Sequence, residues 1–494
     1  MGQTSEGETT SSEHPSDARV STLEAAVAER DEKLAEQDVK LAEQAIQIAE
    51  LTAKVTKLTE ALGLNSKNSN LPPSSDGPGS NAKGKPLRKF GGKRGGQKGH
   101  RGNHRRLLPA EAVNTFVDLF PPVCMGCGRD LMPMPDTDAC RYQQLDLRDH
   151  RPHVTEWRRH EVKCKRCGAA TRAEYDRTKL PNFAFGPCLT AVVVLLTGTY
   201  HLSRRKAMKL LRDLFGISVS VGAISAMEKR TSKALAQAHE EAEKEVQYAG
   251  VKNSDATSWL RDGKLASLWV LATVTATVYK IFDNGCRETI RPLFGQAHGI
   301  LISDRATVFR FWPMTNRQIC HAHLLRKFVW FSERNGFDAS IGRDLLECTK
   351  LVFEYWHGYK DGHLTREELQ FFMQPLQRNF EHLLDRGNRC GSDGIAGVCA
   401  DILEHREALW TFVNHEGVEP TNNHGELELR DFVLWRKRSF GTRSVRGDRF
   451  AERIMTVVRT ARKQGLDVLD FLVRSIKASL SGTTAPRLLV GNTT

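Results

Sequence analysis

The chain has 494 residues, a mass of 55.4 kDa, 40% hydrophobic residues, a formal net charge of +13 and a pI near 9.2. That length supports roughly two to four domains with their own cores, and the basic balance favours a polyanionic partner, nucleic acid ahead of a membrane surface. The longest apolar run, AVVVLL at 191–196, falls far short of the ~20 residues that span a bilayer, which excludes a membrane crossing. The eleven cysteines are an odd number, and MGQTSEGETTSSEHPSD has no apolar signal core, so a disulfide scaffold is not expected and a reducing cytoplasm is the expected compartment.

Residues 1–20 are rich in Ser, Thr and Glu and are expected to be disordered. Over 21–63, Val27, Leu34, Leu41, Ile48, Val55 and Leu62 recur at every seventh position, with Leu23, Arg30, Gln37, Gln44, Leu51 and Leu58 as the companion seam. A strict seven-residue period predicts a coiled coil and, through it, a homo-oligomer, because it keeps one stripe facing a partner helix. The polar seam at Arg30, Gln37 and Gln44 weakens the N-terminal half, and the plainer alternative is an amphipathic helix packed on its own domain.

Residues 64–110 form a linker and a basic, Gly-rich arm. NSKNSNLPPSSDGPGS has linker composition, and the stretch after it carries ten cations and no acid: Lys83, Lys85, Arg88, Lys89, Lys93, Arg94, Lys98, Arg101, Arg105 and Arg106. Such a segment cannot build a core, but it can lay cations and backbone N–H groups along phosphates.

In the next unit, 111–182, two Cys-x-x-Cys pairs appear, Cys124 with Cys127 and Cys164 with Cys167. Each pair can take two corners of a tetrahedron, which predicts one structural Zn²⁺ with no open position for catalysis. Strands are expected around Gln143–Leu147 and Val154–Val162. Residues 183–246 read as a helical, helix-turn-helix-like DNA-binding region, with Gly216 ending one helix, Ser220 starting the next, and Arg204 and Arg205 placed for phosphates. Three packed helices with no readout role fit nearly as well.

From 247 the period changes. LASLWVLATV and TATVYKIF read as a strand pair and GILIS as a buried strand, while helices dominate from 317 to 475. This is an α/β unit, 247–480, with a helical insertion at about 335–418, followed by a tail, 481–494. Three acids stand where a metal could use them: Asp255 in KNSDATSW, just ahead of the strand pair, Asp304 at the end of GILIS, and Glu426 in TNNHGELELR. A hard cation such as Mg²⁺ or Mn²⁺ takes a few carboxylates plus water and phosphate oxygens. A competing role for Glu426 is structural: Asn423 and Glu426 have the spacing of a capping box. In CHAHLLRKF, Cys320, His321 and His323 could suggest a metal site, but their spacing turns one of them away from the other two. A helix packed on the strands, with Arg326 and Lys327 facing DNA, is the preferred reading.

The order of these motifs, from the heptads through NSKNSNLPPSSD, GGQKGHRG, the cysteine pairs, SDATSW, ILISD, CHAHLLRKF, TNNHGELELR and RKRSFGTRSVRG, resembles transposases of the insertion sequence 66 family over nearly the whole chain. The resemblance implies an RNase H-like catalytic core with an Asp-Asp-Glu triad at Asp255, Asp304 and Glu426. It implies two-metal cleavage of DNA at element ends, then strand transfer to target DNA. Arg436 and Lys437 in RKRSF join the DNA-facing cations, and accessory proteins of the same element become expected partners. This chain departs from the family pattern in having Ala256-Thr257 after the first acid and Leu427 after the glutamate. A catalytically inactive, transposase-derived DNA-binding protein is the alternative those departures keep open.

Overall fold

The computed structural model describes residues 107–135, 140–145, 152–174, 183–334, 336–391 and 393–490, with scattered positions between 27 and 54. The basic arm, 83–106, lies outside the described residues. Of the heptad seam, Val27, Arg30, Gln37, Leu41, Gln44, Ile48 and Leu51 are described, and all are helical and exposed. Those positions therefore do not pack against the chain's own domains. Leu23, Leu34, Val55, Leu58 and Leu62 lie outside the described residues.

The first regular pairing is a short antiparallel hairpin, β1 (Glu161–Lys163) with β2 (Ala170–Arg172). Regular strand around Val154–Val162 is limited to β1, and no strand forms over the described residues 140–145. Four helices follow: α1 (Pro187–Val194), α2 (Arg204–Phe215), α3 (Val221–Ala234) and α4 (Ala236–Tyr248). Their ends obey local chemistry. Ser203 and Ser220 cap α2 and α3 by accepting the N–H groups of Lys206 and Ala223, and Gly216 closes α2 at φ 65°. A wider helical turn, Leu195–Thr199, follows α1; a Cβ at its Gly198 would come within 2.8 Å of Ile454, so only glycine permits that approach. Val193, Ala207, Leu211, Val219, Ile224 and Met227 form a small separate core here.

The centre of the molecule is a five-stranded mixed sheet in the order β5-β4-β3-β6-β7, made of β3 (Val251–Arg261), β4 (Lys264–Ala272), β5 (Thr277–Phe282), β6 (Ile300–Ser303) and β7 (Arg317–Ile319). Strands β3, β4 and β5 form an antiparallel meander, while β6 and β7 run parallel to β3. Helix α5 (Arg287–Phe294) bridges β5 to β6. After β7 come α6 (His321–Ser332), α7 (Gly336–Lys360), α8 (Arg366–Asn388) and α9 (Asp393–Glu404). The chain returns through α10 (Asn423–Ser439), α11 (Val445–Lys463) and α12 (Val468–Ser481).

Alternation along β6 shows how the sheet separates two cores. Leu301 joins the core formed with α4, α5, α10, α11 and α12, whereas Ile300 and Ile302 join that of α6 to α9. The open edge of β5 is covered by α11. Glu452, Thr456 and Thr460, one turn apart, accept the N–H groups of Ile281, Tyr279 and Thr277 at 2.6, 3.1 and 3.1 Å. Helix pitch and strand rise are close enough for i, i+4 positions to serve alternate strand residues. Among the described residues, no helix is long and apolar enough to cross a membrane.

Candidate active site

Asp255 sits in the middle of the central strand β3, not ahead of the strands as its polar surroundings predict. The polar run is accommodated because its side chains are bonded. Lys252 Nζ reaches the carbonyls of Gln247 and His298 at 2.6 and 2.9 Å, and Ser254 Oγ donates to Val270 O at 3.0 Å. The Asp255 carboxylate accepts the Ala256 N–H at 2.8 Å. Burial pushes its pKa up to about 7, and the negative charges of Asp304 and Glu426 add to the rise. The three acids are thus near enough to one another to share a field.

Asp304 follows the last residue of β6, the strand that runs parallel to β3 beside it. Its carboxylate accepts the Ala306 N–H at 3.0 Å, which turns the chain out of the strand. The backbone here is held by Arg317, a fully buried residue that opens β7 and donates to Asp304 O at 2.9 Å and Ser303 Oγ at 3.2 Å. Sequence reasoning missed Arg317, which offered no motif signal.

Glu426 lies in the first turn of α10. The expected capping box is absent: Asn422, not Asn423, is the capping position, and no side-chain capping bond forms. Asn422 instead fastens the helix to the sheet. Its Nδ2 donates to Ser254 O at 2.8 Å, its Oδ1 accepts from Asn253 Nδ2 at 3.0 Å, and its N–H points to Cys320 Sγ at 3.1 Å. Glu426 then faces α6, with Oε1 3.7 Å from His323 Nε2 and Oε2 3.6 Å from Arg326 Nη2. Oε1 is buried without a hydrogen-bond partner among the described residues.

Helix α6 divides CHAH in two. His321 turns into the core, where Nε2 contacts Leu409 O at 2.8 Å and the ring packs among Phe353, Phe380, Trp410 and Phe412. Cys320 and His323 turn the other way, and their ligand atoms and those of Glu426 lie within 4.8 Å of one another.

A family model, Transposase IS66 family, matches residues 182–449, a span that includes all three acids. The chain belongs to the IS66 transposase family. A second family model, Family of unknown function (DUF6444), matches residues 13–106, the heptads and basic arm. No curated protein matches the chain.

Membership in a transposase family implies a divalent metal, and the chemistry of these three acids fits one. Asp255, Asp304 and Glu426 are near enough to interact electrostatically, although among the described residues their carboxylate oxygens do not all lie within 4.8 Å of one another, and the buried Glu426 Oε1 lacks a hydrogen-bond partner. An all-oxygen set of this kind suits Mg²⁺ or Mn²⁺. Among the described residues, Glu428 belongs to no group of metal-ligating side chains. Two positions along α10 it is buried against Lys463 Nζ at 3.0 Å and accepts the Tyr279 hydroxyl at 3.1 Å.

The cations foreseen as DNA contacts differ in their freedom. Arg205 and Lys437 are exposed. Arg204 pairs with the buried Glu228 on α3, Lys327 is half-buried, and Arg436 donates to Thr257 Oγ1 at 3.1 Å and to Ser258 on β3.

The cysteine pairs form matching turns. Val123 bridges Asp130 around Cys124–Cys127, and Lys163 pairs with Ala170 around Cys164–Cys167. In each, the first cysteine accepts from the glycine four residues on, Gly128 or Gly168, at 2.8 Å, with that glycine at φ 72° or 73°. Backbone N–H groups directed at Cys124 and Cys164 hold both thiols below the usual cysteine pKa. The structure presents two formed knuckles, and among the described residues the four sulfurs do not gather within 4.8 Å of one another.

Proposed function

We propose that this transposase cuts DNA at the ends of its element and joins the freed 3′ ends to target DNA, using Asp255, Asp304 and Glu426 as the ligands of Mg²⁺ or Mn²⁺. The observation that carries the reading is the convergence of these acids from β3, the end of β6 and the first turn of α10, close enough for Asp304 and Glu426 to raise the pKa of Asp255. The sheet order, with an antiparallel meander next to two parallel strands, supports an RNase H-like core.

When bound, the cations would supply a nucleophile activated at neutral pH and charge stabilisation on both oxygens of an in-line displacement. The chain's own residues position the ligands. Strand β3 fixes Asp255 at the rigid centre of the sheet, Arg317 fixes the backbone at Asp304, and Asn422 fixes the start of the helix that carries Glu426. Arg326, beside Glu426, can meet a phosphate and offset the charge of the acids.

The remaining parts supply DNA and partner contacts. The cations of 83–106, with Arg204, Arg205, Lys327, Arg436 and Lys437, would hold phosphates of the terminal repeats and target. The heptads would join copies of the chain, and one Zn²⁺ would tie the two knuckles through Cys124, Cys127, Cys164 and Cys167. That zinc site requires the two hairpins to approach each other. The setting is the cytoplasm, with the element's accessory proteins as further partners.

The test is cleavage and joining of pre-cut element ends with Mg²⁺ and with chelator. Metal-dependent joining that Asp255→Asn and Asp304→Asn abolish supports the reading. DNA binding without any metal-dependent chemistry would leave an inactive, transposase-derived DNA-binding protein.

A further inference from the structure

Glu426 has a second set of neighbours besides the other two acids. Cys320 occupies the capping position of α6, where the Asn422 N–H lies 3.1 Å from its sulfur and the His323 N–H donates to its carbonyl oxygen at 3.2 Å. Burial pushes the Cys320 thiol up to about 11, so a metal bound there must displace the thiol proton. His323, one turn into the helix, presents Nε2 to Glu426 Oε1 at 3.7 Å. Bonds of about 2.0–2.3 Å around a tetrahedral Zn²⁺ place its ligand atoms about 3.3–3.8 Å apart, so this pair already has the separation of one tetrahedral edge. Cys320 Sγ completes a set whose members all lie within 4.8 Å of one another. The facing Glu426 Oε1 and the other ring nitrogen of His323 are both buried without hydrogen-bond partners among the described residues.

We propose that Cys320, His323 and Glu426 form a site for a soft divalent transition metal such as Zn²⁺, which shares Glu426 with the Mg²⁺ site. Sulfur, imidazole and carboxylate ligands are the set that zinc takes and Mg²⁺ does not. Three protein ligands leave a fourth position open. Zinc held there draws Glu426 toward α6 and away from Asp255 and Asp304. That consequence, competition with Mg²⁺, rests on Glu426 being a catalytic ligand; the site itself does not.

Cobalt(II) tests the site without DNA or turnover, because cobalt bound to thiolate absorbs in the near ultraviolet. The full chain is titrated with Co²⁺ beside Cys320→Ser and Cys127→Ser. One component of the absorption should vanish in Cys320→Ser and survive in Cys127→Ser, which separates it from the paired knuckles. His323→Asn and Glu426→Gln should weaken the Cys320-dependent component by at least about tenfold, the scale expected when a ligand or its support is lost. A cobalt spectrum identical in wild type and Cys320→Ser overturns the proposal. Should circular dichroism show that Cys320→Ser is unfolded, His323→Asn decides: unchanged cobalt affinity overturns it, and weakened affinity supports it. Zinc added to the Mg²⁺-supported joining reaction gives a separate reading. Inhibition that Cys320→Ser relieves by at least about tenfold supports competition at Glu426. Equal inhibition of both proteins overturns the competition, while the cobalt result still stands or falls alone.

Discussion

Asn422 donates its side-chain N–H to the backbone carbonyl of Ser254 at 2.8 Å, so the residue preceding α10 is pinned to the residue preceding Asp255. Two of the candidate catalytic acids therefore hang from one hydrogen bond, each a few residues from it.

Replacing Asn422 should affect chemistry more than its neighbour does. Asn422→Ala leaves Asn253 and the Ser254 carbonyl unpaired in a buried place, costing about 1–3 kcal/mol of stability. It should also lower strand joining on the order of a hundredfold by loosening Glu426. Asn423, exposed at the first helical position, should change stability by less than about 0.5 kcal/mol when replaced by Ala. Thermal melts and joining assays on both variants check this, and equal effects would disprove it.

The two glutamates of α10 should separate function from stability. Glu426→Gln should fold and bind DNA but lose metal-dependent cleavage. Glu428→Gln leaves Lys463 without its buried partner and should cost about 3 kcal/mol, with the folded fraction still active. Denaturant midpoints measured beside activity decide between them.

Glu452 should make folding depend on pH. Burial raises its pKa from 4.5 to about 7 in the folded chain. The folded state therefore holds its proton more tightly than the unfolded state does, and its contribution is fully present below about pH 4.5 and lost as pH rises through about 7. The loss is on the order of 3 kcal/mol. Glu452→Gln should remove that part of the slope, read as the difference in urea midpoint between pH 5 and pH 8. An identical slope in both proteins refutes the assignment.

Metal analysis tests the knuckles. Protein purified without chelator should carry about one zinc per chain bound through the four paired cysteines, and Cys164→Ser should release it without changing Mg²⁺-dependent chemistry at the acids. Zinc content unaffected by Cys164→Ser would show that the two turns do not share an ion.

Deleting 83–106 removes ten cations. The slope of log affinity against log salt should then fall in magnitude by up to about nine, for any DNA sequence. An unchanged slope means that these residues only connect.

Features governed by neighbours along the chain were legible in the sequence. The glycine that ends α2, the serine that starts α3 and the β-branched strands β4 to β6 all follow from local preference. Strand β3 did not show itself, because Asn253, Ser254 and Asp255 read as loop until their distant partners are known. The capping box failed for the same reason: Asn422 is used up by β3 rather than by its own helix. In CHAH, spacing predicted that one of the three side chains turns away from the other two, and the structure shows that one to be His321. It could not reveal that Glu426, about a hundred residues later in the chain, would face the other two.

The bond between Asn253 and Asn422 joins residues 169 positions apart. A ribosome adding 5–20 residues per second needs roughly ten to thirty seconds to cover that distance. Once Asp304 has been added, the emerging chain has Asp255 and Asp304 but no Glu426 for the rest of that interval, and the helices of the insertion must emerge before the third acid can arrive. A nascent fragment therefore holds only part of the proposed metal site, which can be complete only after residue 426 has been made.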